Sequence, residues 1–310
     1  SSSLNPPTPL SEEDMRSLSG LKRLEELTLH NTTLSGPSLS VLRSLPALRR
    51  LRLSCSENLT DEGLLHVAAL EGLKMLNLEA CSGLTSAGIL HLAPLKNLES
   101  LHLTGLPRLD GEALPAILEM RRVRTLYISG ATKVDKAFLE ALAGLPELGT
   151  LYLSQDSLAE PVELGRLKEL RTLSILGSNR PFGEATSGSL AGLKSLESLL
   201  FLGAVSSSSS DPEVAEALLQ QVAMLPALRQ LSFRNVRLPE SRLAALQGSK
   251  ITRVGTQLGS GDTRFDDATL ASLIPLESLQ KVVLGRRSPV TAEGLDAFRQ
   301  ARPDVKIEGR

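Results

Sequence analysis

Four histidines, two cysteines and two tyrosines are the residues with the widest chemical range in this 310-residue chain. Catalysis or metal binding by them needs convergence: a nucleophile beside a base, or several donors around one ion. His66 and His91 lie 25 residues apart in the related stretches LLHVAAL and ILHLAPL, so both occupy one place in a repeated helical segment. They read as repeat positions on the helix side, and no carboxylate or thiol has ligand spacing to them. His30 and His102 have neither a nucleophile elbow nor an HExxH helix around them. Cys55 and Cys81 are too few for a disulfide framework, and without a nearby His pair they outline no zinc site. These residues predict no catalysis, no cofactor and no metal.

The tyrosines direct attention to the elements that must carry them. Tyr127 and Tyr152 fall in TLYIS and TLYLS, at the same point of a Leu-x-x-Leu-x-Leu frame. Such frames begin at Leu24, Leu48, Leu73, Leu98, Val123, Leu148, Leu170, Leu196, Leu228, Ile251 and Leu279, with four consecutive spacings of 25 residues. A period of that length marks a solenoid. Within a frame the side chains alternate, as in LKMLNL, where Leu76 and Leu78 point one way and Asn77 the other. Each frame is therefore a short strand. Downstream segments such as LTDEGLLHVAAL turn helical, placing Leu64, Val67, Ala68 and Leu70 on one face. Thr60, Ser86 and Asp135 stand near the helix starts, where small polar groups satisfy orphan amides. One strand and one helix cannot bury both apolar faces alone, so neighbouring units must stack.

At this point the pattern resembles the leucine-rich repeat family, in its longer ribonuclease-inhibitor-like, cysteine-containing form. LNLEACSGLTSAGIL is the most typical unit, with Cys81 where those repeats place a residue that bonds the turn backbone. The resemblance covers roughly residues 21 to 307. It implies an α/β solenoid, a curved horseshoe with a parallel sheet on the concave face and helices on the convex face. The turn position is Thr32 and Ser56 in early units but Leu106, Ala131 and Val236 later, so an unbroken polar ladder is not expected.

The organisation expected is an N-terminal capping segment over 1–20, about eleven repeats over 21–301, and a C-terminal cap strand and tail over 302–310. Ser11 and Asp14 precede Met15 and Leu18 as in a capping box. The last strand is expected around Val305 and Ile307. The stretches 178–189 and 203–214 are rich in Gly, Ser and Pro, the second lengthens its unit by 7 residues over 25, and Ser206 to Ser210 should form a mobile loop. QLGSGDTRFDD (257–267) lacks the Gly-Lys-Ser/Thr ending of a phosphate loop.

The formal net charge of −1 supplies no field for nucleic acid or an anionic membrane, and no apolar run reaches the ~20 residues of a span. Two cysteines fit a reducing, cytoplasmic compartment, with a removed signal peptide as the alternative. An open solenoid face makes a poor catalytic pocket but a good binding wall. The residue between the last two leucines of each frame faces the concave side. That column reads Thr28, Arg52, Asn77, His102, Tyr127, Tyr152, Ser174, Leu200, Ser232, Gly255 and Val283. The partner-binding residues expected on this face are Arg50, Arg52, Asn77 and Glu79 at one end, His102, Tyr127 and Tyr152 as central anchors, then Leu176, Leu200 and Leu202. The tyrosines should stack ~5 Å apart on adjacent strands. Tyrosine supplies stiff contact area with a hydroxyl, which suits it to binding hot spots. Two plainer readings compete: Tyr and Thr favour strands anyway, and the leucines are covered by the 178–189 or 203–214 inserts.

The function expected is non-enzymatic recognition of a protein or peptide by a monomer, with no nucleic acid, metal or cofactor. Two alternatives are the substrate-recognition part of a ubiquitin-ligase-type adaptor, for which residues 1–20 are too short to hold the extra helical segment, and a secreted or cell-envelope bacterial repeat protein.

Overall fold

Alternation within each leucine frame produces a strand of three to five residues, and the strands of successive units lie side by side. The computed structural model describes residues 12–30, 36–55, 58–130, 134–158, 162–177, 188–190, 192–202, 212–234, 242–256, 265–285 and 288–309. The chain divides into a first unit that ends at Leu151 and a second that begins at Tyr152.

In the first unit β1 (Glu26–His30), β2 (Arg50–Ser54), β3 (Met75–Asn77), β4 (Ser100–Thr104) and β5 (Thr125–Ser129) pair in parallel in chain order. The register carries no slip: Leu27, Leu51, Leu76, Leu101 and Leu126 are successive partners. Leu51, Leu76, Leu101 and Leu126 are completely buried, and each contributes roughly 1.5–3 kcal/mol by leaving water. Since the side-chain period is two, a one-residue slip would expose this whole layer.

A left-handed residue turns the chain out of several of these strands: Cys55 (φ 53°), Ala80 (φ 55°), Gly105 (φ 68°) and Gly130 (φ 69°). A Cβ on Gly130 would lie 3.2 Å from Gly105 Cα, so glycine also permits the close approach of the two turns. Cys81, just inside the third turn, is buried and donates from Sγ to the Leu53 carbonyl at 3.1 Å. This is the turn-bonding contact implied by the resemblance. Leu106, one unit on, is buried with no polar atom to offer, so the polar ladder does break. Thr32, Ser56, Ala131 and Val236 lie outside the described residues.

The helix side contains Asp61–Ala68, Ser86–Leu90, Leu114–Glu119 and Lys136–Ala141, with a 310 segment, Gly36–Ser44, in the first repeat. Leu64, Val67 and Leu70 form the expected buried stripe, while Ala68 is half-buried. Asp135 caps its helix through the Phe138 amide at 2.8 Å. Thr60 does not act as expected, for it makes no side-chain cap bond. The next residue does more. Asp61 accepts from the Thr85 amide at 2.8 Å and the Thr85 hydroxyl at 2.6 Å, gripping the following unit. Thr85 Oγ1 in turn accepts from Ala87 N at 3.2 Å, so Thr85 rather than Ser86 is the cap. Gly88 leaves room for this grip, since a Cβ there would meet Asp61 Oδ1 at 2.2 Å.

The second unit repeats the plan with β7 (Thr172–Leu176), β8 (Ser198–Leu202), β9 (Gln230–Arg234), β10 (Arg253–Thr256), β11 (Lys281–Val283) and β12 (Lys306–Glu308), while β6 (Thr150–Ser154) crosses the boundary in sequence. Leu173, Leu199, Leu231, Val254, Val282 and Ile307 are its in-register inner row. Helices Pro212–Ala223, Asp267–Ala271 and Ala292–Ala301 line the other side. The aspartate grip recurs here: Asp267 accepts from the Thr291 amide and hydroxyl, both at 2.7 Å. Gly294 again clears the space, with a Cβ distance of 2.1 Å to Asp267 Oδ1.

At the N-terminal end the helix Glu12–Ser17 buries Met15, and Ser11 lies outside the described residues. At the other end Val305 is buried and β12 starts one residue after it. Arg302 donates to three carbonyls of the preceding repeat, Ile274 at 3.0 Å, Leu276 at 2.7 Å and Leu279 at 3.0 Å. Its remaining bonds go to Asp304, which raise the guanidinium pKa further. The loop expected at Ser206 to Ser210 lies outside the described residues, as do most of 178–189, 203–214 and 257–267. No helix among the described residues is long and apolar enough to cross a membrane. Both units are open parallel α/β solenoids.

Candidate functional site

The slip-free register aligns equivalent side chains in columns on the face opposite the leucines. In the first unit Thr28, Arg52, Asn77, His102 and Tyr127 are successive partners, flanked by Glu26, Arg50, Met75, Ser100 and Thr125. These polar groups largely satisfy one another. Glu26 receives Arg50 Nε at 3.0 Å and Arg52 Nη1 at 2.7 Å, so both arginines close on one carboxylate. The Arg50 bond first, then the charges of both arginines, hold the Glu26 carboxyl below its ordinary range. Glu79 remains exposed just beyond β3, with no part in that cluster. Asn77 is buried, and its Oδ1 accepts from the Glu79 amide at 2.8 Å.

His102 and Tyr127 lie face to face, centroids 3.9 Å apart and planes inclined by 19°. Adjacent strands ~4.8 Å apart set that spacing, and the offset rings fill it. Ser100 Oγ lies 3.0 Å from His102 Nε2 and fixes the ring's rotation. Burial under this stack, with the Arg52 charge adding to it, pushes the His102 pKa down to about 4. The imidazole is thus neutral at physiological pH. A neutral, half-buried ring stacked on a phenol presents a stiff aromatic surface with polar edges. As a base it is too weak for proton transfer near pH 7.

The second unit has a different face. Ser174, Leu200, Ser232, Gly255 and Val283 are partners in the central column, beside Thr172, Ser198, Gln230, Arg253 and Lys281. Ser174, Ser232 and Gly255 are too small to fill the sheet surface between Tyr152, Leu200 and Val283. The result is a hollow of about 360 Å³ lined by both columns. Val283 leans across the bare Gly255, whose added Cβ would meet the Val283 carbonyl at 2.5 Å. Ser174 Oγ is buried without a hydrogen-bond partner among the described residues. Leu176 and Leu202 are register partners, and with Leu200 they are half-buried rather than fully exposed.

Sequence columns thus place the expected residues on one face within each unit, and they bring His102 against Tyr127. Tyr127 belongs to the first unit and Tyr152 to the second. The hollow escaped sequence reasoning, as did Gln230 and Arg253 at its edge. Its signal was present as three small letters among large ones in a single column. Among the described residues no group of three or more His, Cys, Asp or Glu could hold a metal ion. Neither Cys55 nor Cys81 is in a disulfide.

The geometry matches what comparison with known proteins gives. A family model described as a leucine-rich repeat region matches residues 28–242, and the chain belongs to the leucine-rich repeat family. No curated protein shows a significant match. Among solved structures, an internalin from Listeria monocytogenes aligns over 97% of this chain and 84% of its own, at 16% identity and a TM-score of 0.50. A leucine-rich repeat protein from Leptospira interrogans aligns over 94% and 85%, at 17% identity and a TM-score of 0.36. A TLR13–ssRNA13 complex aligns over 96% of this chain and 44% of its own, at 16% identity and a TM-score of 0.47. The internalin likeness bears on the fold alone.

Proposed function

We propose that this chain is a non-catalytic recognition module that holds a protein or peptide partner against the outer, concave face of its repeat strands. The observation that carries this reading is the His102–Tyr127 stack, 3.9 Å between centroids, with His102 kept neutral. It is a stiff, amphipathic platform already ordered in the free chain, so little freedom is lost when a partner lands on it. Tyr152, Leu176, Leu200 and Leu202 add aromatic and apolar area, and Arg50, Arg52 and Glu79 steer charged segments at one end. Asn77 acts by holding the β3 turn in shape. Repeats of the ribonuclease-inhibitor-like type fit the Cys81 contact with Leu53. Residues 1–20 and 302–310 serve as caps, supported by buried Met15 and by Arg302. The working state is a monomer in the cytoplasm.

The test begins with affinity capture on the folded chain and mass-spectrometric identification of what is retained. Each purified partner is then titrated against wild type and the Tyr127→Ala/Tyr152→Ala double variant. Loss of two hot-spot side chains should weaken binding by several kcal/mol, roughly a hundredfold or more, well beyond the roughly 1 kcal/mol of stability that loss of the His102 stack should cost. An unaltered Kd would remove the aromatic strip from the site.

A further inference from the structure

The hollow in the second unit differs from the first unit's face in one respect that points to a ligand. Its edge carries a cation that is unmatched among the described residues. Arg253 is half-buried beside Gln230 and Lys281, and no carboxylate or carbonyl bonds its guanidinium among the described residues. Lys281 has a partner, for Glu308 bridges Lys281 at 2.5 Å and Lys306 at 2.8 Å, and those bonds hold the Glu308 carboxyl down at about 2. Among the described residues the charge around Arg253 is therefore positive. Among the described residues no acidic side chain lines the hollow. In its floor Ser174 presents a buried hydroxyl with no partner among the described residues, and a buried hydroxyl ordinarily meets another polar group. Leu200 and Val283 give the remaining wall an apolar surface.

Resting on the reading that a partner lies along the strands, we infer that this hollow seats an acidic side chain of an extended partner segment. An Asp or Glu carboxylate would take the Arg253 guanidinium and the Gln230 carboxamide, and a small polar group beside it would reach Ser174. An apolar neighbour would lie on Leu200. The volume, about 360 Å³, suits one or two side chains and not a folded element. Arginine's fixed fork favours a planar carboxylate, and a charge-assisted bond out of bulk water is among the stronger single contacts available.

The experiment uses two pools of N-acetylated, C-amidated heptapeptides. Both have Ala, Leu, Ser and Thr randomised at six positions, with Glu fixed at the centre of one pool and Gln at the centre of the other. Amide resonances of the full chain are followed as each pool is added. The Glu pool should shift Ser174, Gln230, Ser232 and Gly255 saturably, and at least about tenfold more tightly than the Gln pool. Arg253→Gln should erase the difference between pools. Ser174→Ala, which removes an unpaired hydroxyl and so should fold as well as wild type, should weaken the Glu pool. Equal binding of the two pools, no saturable shift, or a preference that survives Arg253→Gln overturns the inference. Binding that appears only after residues 203–211 are replaced by a short Gly-Ser bridge means the chain covers its own hollow, which also overturns it. The two readings fail separately. An unaltered partner Kd in the tyrosine double variant with intact Glu-pool binding sinks the aromatic strip alone, and capture insensitive to Arg253→Gln with no pool binding sinks the hollow alone.

Discussion

Asp61 in the first unit and Asp267 in the second hold the threonine 24 residues ahead through the same two bonds, and a glycine makes way for each. The outer faces of the same two units have little in common. The first closes its polar groups on one another: Glu26 on two arginines, Asn77 on a backbone amide, His102 on Tyr127. The second leaves a hollow, a buried Ser174 hydroxyl and an Arg253 unmatched among the described residues. The helix side answers to stacking, which is identical work in every repeat. The strand face answers to whatever lies against it, so its residues are at liberty to diverge.

The largest effects should test the shared half of this comparison. Asp61→Ala and Asp267→Ala each strip two hydrogen bonds from a following threonine, one of them to a backbone amide. Each should cost about 2–3 kcal/mol, read as a drop in the urea midpoint at constant slope. A cost at one site only would mean that the two grips are not equivalent.

Next comes the contrast between faces. Asn77→Ala orphans the Glu79 amide and should cost about 1–2 kcal/mol, while Ser174→Ala should cost nothing or stabilise slightly. Thermal unfolding of the two variants side by side decides it, and equal destabilisation would show that Ser174 has a partner after all.

The smallest effect concerns pH. His102 titrates at about 4 in the folded chain, below the ordinary value near 6.5. Between those values the unfolded chain binds a proton that the folded chain does not. The stability from this ring is therefore complete above about pH 6.5 and is lost as pH falls toward 4. Its ring-carbon proton resonance should stay flat down to about pH 5. An inflection near 6.5 would mean that the stack is open in solution.

The repeat frames made the strand register legible, because Leu51, Leu76 and Leu101 announce both spacing and direction. Asp135 was also readable, since it caps its helix within a short local motif, and Cys81 was readable from the repeat family's pattern although its bond reaches back to Leu53. Asp61 was harder: it looks like a first-turn acid serving the helix dipole, and only stacking reveals its reach to Thr85. The His102–Tyr127 pair follows from the columns once register is granted. The hollow does not, because it arises from missing volume at Ser174, Ser232 and Gly255, and sequence patterns report side chains more readily than gaps. Burial of Asn77 was obscured for a related reason, as β3 ends there and its carboxamide turns back to the chain.

The turn residues Cys55, Ala80, Gly105 and Gly130 fall at strict intervals of 25 residues, all left-handed. A recombination slip that copied one such interval within this part of the gene would insert a whole module, with its turn and inner leucines intact. The same accident across frames spaced 32, 23 and 28 residues apart, from Leu196 to Leu279, would join unlike lengths and leave a misfit seam. The amino-terminal half is thus the portion of this protein that evolution, or an engineer, can lengthen by simple duplication.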